Sequence, residues 1–351
     1  MMEWPKFTNP YVGISPPPGV HVPEREELLR SICEERSPRS GFPYPPEAPI
    51  FWIKYGFAVY WNEVCAQTVA YNGLRQIESL VRAPGVYYAF KEAKSTYIVM
   101  EYIPGKTAGQ CLKEAEDESG KEIIYRSIAL AVTELHRIPI PESRRRPAAI
   151  TGGVFRHNIF ECYLEAGRHY ENTQQLEDHI NAFLQVARRE DRVHDLDREP
   201  MVFCQSDTFA DNYIIDADNR VTAIDFADAS IVPSSLAKFA LALPTLGFDI
   251  RQWVNVPATE GIDNTKALLV AYGPMTMSLH SFDKAGKRTS GGDEETQRRF
   301  DLPLLQEGIL DPPIDFGPTL GELAAMGIHD PFLDISSKFP QKPRRPRVYL
   351  S

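Results

Sequence analysis

One stretch limits this chain more than any other: MVFCQSDTFADNYIIDADNRVTAIDFADA, residues 201–229. It reads as an apolar strand, a polar loop, the short strand YII, a DADN turn and a strand VTAI. Asp207 is followed five positions later by Asn212, and the hairpin returns Asp225 toward the same loop. Phosphoryl transfer needs a carboxylate that orients and deprotonates a hydroxyl, and oxygen ligands that hold magnesium against phosphates. Asp207, Asn212 and Asp225 can supply those roles in that order. Alone, D-x-x-x-x-N is equally a capped turn, and Asp225 a strand-end turn residue. The apolar strands on either side favour the chemical reading.

Upstream, Pro23 and the acids of PEREELLRSICEER predict a short helix, so residues 1–40 form an N-terminal extension. IFWIKY at 50–55 predicts a buried strand with Lys54 near its end. Asn62 is a candidate cap for the next helix, which has Glu63 in its first turn and Ala66, Ala70, Leu74, Ile77 and Val81 at helical spacing. GVYYAF and STYIVMEYI flank KEAK as a hairpin, and residues 41–103 read as a small sheet-bearing lobe. From 104 to 351 the pattern turns helical, with stripes Ile124, Ile128, Ala131, Val132, Leu135 and Leu176, Ile180, Phe183, Leu184, Ala187. NTKALLVAYGPMTMSLHSF reads as a helix broken at Gly273 and Pro274. KAGKRTSGGDEETQRR reads as an exposed loop, and QKPRRPRVYLS as a solvated basic tail.

Composition narrows the function classes. A length of 351 residues suits two lobes, and 43% hydrophobic with 25% charged residues is ordinary for a globular chain. The net charge of −10 speaks against a nucleic-acid partner, which requires clustered Lys and Arg. No apolar run is long enough for a membrane span and no signal-peptide pattern opens the chain. The five cysteines are scattered, without a C-x-x-C pair. A reducing, cytoplasmic location is the expectation. Oligomeric state is open.

The ordered pieces WIKYG with Lys54, Glu63, YIVMEYIPGKT, CQSDTFADN and IDFADA resemble the aminoglycoside phosphotransferase and choline kinase-like superfamily, most closely its fungal phosphotransferase-like members. The resemblance spans about residues 50–240. It implies a bilobal α+β protein kinase-like fold, a small N-terminal β-sheet lobe and a larger, mainly helical C-terminal lobe. It also implies ATP and Mg2+ as cofactors and a small-molecule acceptor, which the acidic balance would suit if cationic. Lys54 then looks like the strand lysine that meets the α- and β-phosphates, and Glu63 like its helix partner. Glu101, Tyr102 and Ile103 would face the adenine. Asp207 resembles the catalytic base, and Asn212 and Asp225 the metal ligands.

Three departures from that pattern stand out. Gln205-Ser206-Asp207 replaces His-x-Asp, Asp211 replaces a glycine before the asparagine, and no G-x-G-x-x-G precedes Lys54, Gly41 being the only nearby glycine. They motivate an alternative, a catalytically inactive kinase-like binding or interaction protein. Asp216 and Asp218 lack the glycine and glutamate of a calcium loop and read as a turn. TGGVFRHNIF, with its Arg156-His157 pair, reads as a structural turn or an anion contact. The absence of G-x-S-x-G speaks against a serine hydrolase.

Overall fold

A computed structural model describes residues 4–35, 41–160, 164–243, 247–277 and 294–310. The basic tail, Cys162 and the first part of the 284–299 run lie outside these residues. The strands β1 (Tyr11–Val12), β2 (Gly41–Tyr44), β3 (Phe51–Gly56), β4 (Val86–Glu92) and β5 (Ser95–Glu101) form one antiparallel sheet in the order β1-β4-β5-β3-β2. Helix α1 (Arg25–Glu35) covers one face through Leu28, packed with Phe51, Ile53, Tyr87 and Val99. Helix α2 (Trp61–Gln76) packs through Val64, Val69 and Ala70 into the main core. The N-terminal stretch takes part too, since Trp4, Phe7 and Tyr11 are buried in that core and Tyr11 pairs with Ala89.

The larger lobe follows β6 (Lys106–Thr107) and holds α3 (Ala108–Glu114), α4 (Glu118–His136), β7 (Ala148–Ala149) and α5 (Thr173–Val186). After them come β8 (Met201–Gln205), β9 (Tyr213–Ile215), β10 (Val221–Ala223) and β11 (Ala229–Pro233), and the helices α6 (Ser234–Ala242), α7 (Thr265–Met277) and α8 (Glu294–Gln306). A sheet-bearing lobe followed by a larger, mainly helical one is the α+β arrangement read from the sequence. Two registers set the chemistry-bearing loops. Gln205 lies opposite Ala229 in the β8–β11 pair, and Tyr213 opposite Ala223 in the β9–β10 hairpin. Their loop ends therefore converge. The 216–219 segment is the expected turn, with Asp216 accepting from the Asp218 and Arg220 amides.

Two local readings are corrected. Helix α7 runs through Gly273 and Pro274, because Leu268, Ala271 and Met275 bury its face and the proline falls in its last turn. Residues 294–306 are helical, and Phe300 stacks on His169 while Asp301 binds it at 2.8 Å.

His157 is fully buried among Phe155 and Phe239, and burial pushes its pKa from 6.5 down to about 3. The unfolded chain therefore takes up a proton that the folded chain refuses. This contribution to stability is complete above the unfolded value of 6.5 and is lost as pH falls toward about 3. His157→Asn removes the titration and keeps an acceptor for the Ile159 amide, which now bonds Nδ1 at 3.1 Å. Urea unfolding at pH 6, 5 and 4 should show the variant's dependence on pH smaller by up to about 1.4 kcal/mol per unit.

Candidate active site

Strand alternation aims Lys54. Phe51 and Ile53 enter the layer beneath α1, so Trp52 and Lys54 point the other way, into a cleft of about 390 Å³ between the lobes. That volume is within the usual range for small-molecule sites. Lys54 Nζ donates to Glu63 Oε1 at 2.6 Å and to Asp225 Oδ1 at 3.0 Å. One ammonium thus ties β3, α2 and the loop after β10.

Burial works against the Lys54 ammonium, but Glu63 and Asp225 outweigh it and hold its pKa above the ordinary lysine value. At Glu63 burial wins over the attraction of Lys54, and with Asp225 adding repulsion the carboxyl is pushed up to about 7. Both values move upward, which favours the charged form of Lys54 and the neutral form of Glu63. Lys54 stays charged, and Glu63 is the member that gives up its charge first.

Six of the eight residues singled out in the sequence line this cleft: Lys54, Glu63, Glu101, Tyr102, Ile103 and Asp225. Glu101 presents main chain to it, because its Oε2 accepts from the Gly85 amide at 2.7 Å. The Glu101 N–H donates to Gly85 O and the Tyr102 N–H to Ile50 O, which leaves Ile103, of the three, to offer its N–H. Gly41 also lines the cleft. A Cβ there would stand 2.8 Å from Ile53 O and 2.9 Å from Trp52 Nε1, so the site is built around its absence.

Asp207 and Asn212 lie outside the cleft lining but beside it. Asn212 Nδ2 donates to Asp207 O at 3.0 Å, and the Ile224 amide, next to Asp225, donates to Asn212 O at 2.9 Å. Asp207 Oδ1 is buried without a partner. Burial raises its pKa, the Asn212 amide opposes this, and Asp228 and Asp225 reinforce it.

The replaced histidine has a substitute. Gln205 Nε2 donates to Ile224 O and Asp225 O, both at 2.8 Å. Asp225 sits at φ 60°, a left-handed conformation that costs a β-carbon residue of order 1 kcal/mol, and these bonds hold it there. Asp211 does not line the cleft. Its Oδ1 accepts from Thr107 Oγ1 at 2.6 Å and fills the space above Gly109, where a Cβ would stand 2.3 Å away.

These groups suit a nucleotide with a hard cation. The Asp225 carboxylate is 42% exposed, Asn212 contributes an amide oxygen, and Asp207 Oδ1 is an unmatched acceptor. Among the described residues no cluster of three or more His, Cys, Asp and Glu side chains could hold a metal. A cation here would therefore depend on Asp225, Asn212 and phosphate oxygens together.

Asn62 was misread as a cap. It lies inside α2, whose N-cap Tyr60 makes no side-chain capping bond, and it is 5% exposed. Its local spacing resembles a cap, and its actual partners are far away in sequence. The Gly152–Gly153 pair does lie in a turn, with Gly152 at φ 94° and its carbonyl held by Arg146.

Residues 70–233 match the model of a phosphotransferase enzyme family, which bears out over that span the resemblance read from the motifs. No curated protein matches. Among solved structures, the streptomycin–ATP complex of APH(2")-IIa aligns over 82% of this chain and 99% of that one, at 17% identity and a TM-score of 0.37. A thermostable mutant of aminoglycoside phosphotransferase APH(4)-Ia covers 77% and 87%, at 12% identity and a TM-score of 0.40. Spectinomycin phosphotransferase APH(9)-Ia with ADP and spectinomycin covers 75% and 82%, at 12% identity and 0.36. Among the described residues no helix is long and apolar enough to cross a membrane.

Proposed function

We propose that this chain is a small-molecule kinase, transferring the γ-phosphoryl group of ATP to a hydroxyl of a small acceptor. The observation that carries this reading is Lys54 bridging Glu63 and Asp225 in one cleft beside the main chain of Glu101–Ile103. Lys54 would pair with the α- and β-phosphates, and Ile103 N–H and Glu101 C=O would meet the adenine edge. Asn212 and Asp225 would hold magnesium. The cation, when bound, neutralises phosphate charge as transfer proceeds.

Asp207 would orient the acceptor hydroxyl and take its proton as the oxygen bonds to the γ-phosphorus. The bond from that phosphorus to the β–γ bridging oxygen breaks, and ADP leaves with the electron pair. A pKa raised by burial suits a carboxylate that must receive a proton. Around the transfer point Glu63, Asp207, Asp225 and Asp228 outnumber Lys54 and Arg156, which favours a cationic acceptor. Gln205 bears on the inactive alternative, because it braces the Asp225 loop where the histidine is missing.

Thermal unfolding with and without Mg-ATP tests the reading. At about ten times Kd the stabilisation is roughly 1.4 kcal/mol, a rise of around 2 °C for a chain of this size. The wild type should show it and Lys54→Met should not. A wild type unmoved by millimolar Mg-ATP would remove the proposal.

A further inference from the structure

The TGGVFRHN segment, singled out in the sequence, is absorbed by none of the roles above, and Asn62, adjacent to Glu63, points away from the nucleotide cleft. Their bonds meet in one place. Asn62 Nδ2 donates to Ala227 O at 3.1 Å and to Ala229 O at 2.8 Å, while its Oδ1 accepts from the Ile150 and Thr151 amides at 2.9 and 3.4 Å. Both amide donors and the carbonyl oxygen are thus used. Arg156, 4% exposed, lays its guanidinium 3.7 Å from the ring centroid of Tyr60, at the start of α2. The same guanidinium binds Asp228 Oδ1 through Nε at 2.9 Å and pairs with Glu165. Two residues on, the Asn158 amide donates to Ser206 Oγ at 3.2 Å and its Nδ2 to Ser206 O at 2.9 Å, beside Asp207.

We infer that Asn62 and Arg156 form an interlobe clasp that fixes Glu63 and the Asp225 loop in working register before any ligand binds. Both are positioning residues. Helix α2 lacks a side-chain cap, so the side-chain bonds that anchor its start are tertiary. A swing of α2 that parted Glu63 from Lys54 would strip partners from two carbonyls and two amides at Asn62 and expose the Tyr60–Arg156 stack. Each buried group left unpaired makes that swing costlier. The Lys54–Glu63 contact is therefore held by the fold and needs no switch to assemble it. The activity part of this inference rests on the proposed kinase reaction, and its structural part does not.

Amide hydrogen exchange on the full chain without nucleotide tests the structural part, and nucleotide KM with kcat tests the other. Asn62→Ala should speed exchange about tenfold or more over residues 61–68 and 226–230, with α5 unchanged. It should also raise nucleotide KM and lower kcat, each by about tenfold. Arg156→Ala should do the same, and Arg156→Lys, which can still reach Asp228, should recover part of both losses. Ser235→Ala, which removes a bond to the buried Glu199 at 2.5 Å far from the cleft, is the control for general destabilisation. The clasp is overturned if Asn62→Ala and Arg156→Ala change exchange and kinetics no more than Ser235→Ala at equal loss of Tm. A wild type that binds no nucleotide would defeat the kinase reading and leave the exchange result to decide the clasp.

Discussion

Asp207→Asn is expected to lower phosphoryl transfer by about 10²- to 10⁴-fold while Mg-ATP affinity stays within about twofold. The asparagine has the same shape and can still orient a hydroxyl, so the loss isolates proton acceptance. Binding should survive because Asp207 lies outside the nucleotide cleft and touches none of Lys54, Glu63 or Asp225 in the hydrogen-bond pattern. Stability should not suffer either. Burial raises the Asp207 pKa, so the folded state disfavours the carboxylate relative to the unfolded chain, and at neutral pH the neutral amide relieves that penalty. Single-turnover transfer, nucleotide titration and Tm on the same variant separate the three quantities. Nucleotide binding lost together with transfer would contradict the assignment of Asp207 as base.

The residues whose place was legible in the sequence are those at strand ends. Lys54 had a place because aromatic and β-branched residues mark IFWIKY as a buried strand with the lysine near its end, and Asp207, Asn212 and Asp225 had theirs because apolar strands bracket polar loops. Asn62 and Arg156 were not legible in the same way. Their partners lie 88 and 165 residues from Asn62 and 72 from Arg156, and no local period encodes a side chain that bonds a distant backbone. Asp211 looked like an added charge near the expected cation because spacing alone puts it beside Asn212. The contact with Thr107, 104 residues earlier, turns it away. Helix α8 was obscured by a polar, glycine-bearing run whose later part is helical, Arg299 pairing with Glu171 and Asp301 with His169.

Gln205 departs from the resembled motif and still makes the bonds of a brace. A histidine in that position would brace the Asp225 loop by donating hydrogen bonds, and an amide donates equally well. The bonds to Ile224 O and Asp225 O are short enough to hold an aspartate in left-handed backbone. Unlike an imidazole, the amide does not titrate near neutral pH, so the brace is independent of pH through the range in which Glu63 changes charge.

Asp225→Asn should have the other large effect, and of a different kind. Asparagine tolerates φ near 60°, so the loop and the Gln205 bonds survive the exchange. What goes is the negative charge that both receives Lys54 and would hold the cation. Metal-assisted charge stabilisation is worth several kcal/mol, so transfer should fall about 10³-fold or more. Unlike Asp207→Asn, this variant should also lose the magnesium-dependent part of nucleotide binding. ATP with EDTA should stabilise variant and wild type alike, while added magnesium should raise the Tm of the wild type only. If magnesium stabilises both equally in the presence of ATP, Asp225 is not the cation's main protein ligand, and its carboxylate serves only to hold Lys54.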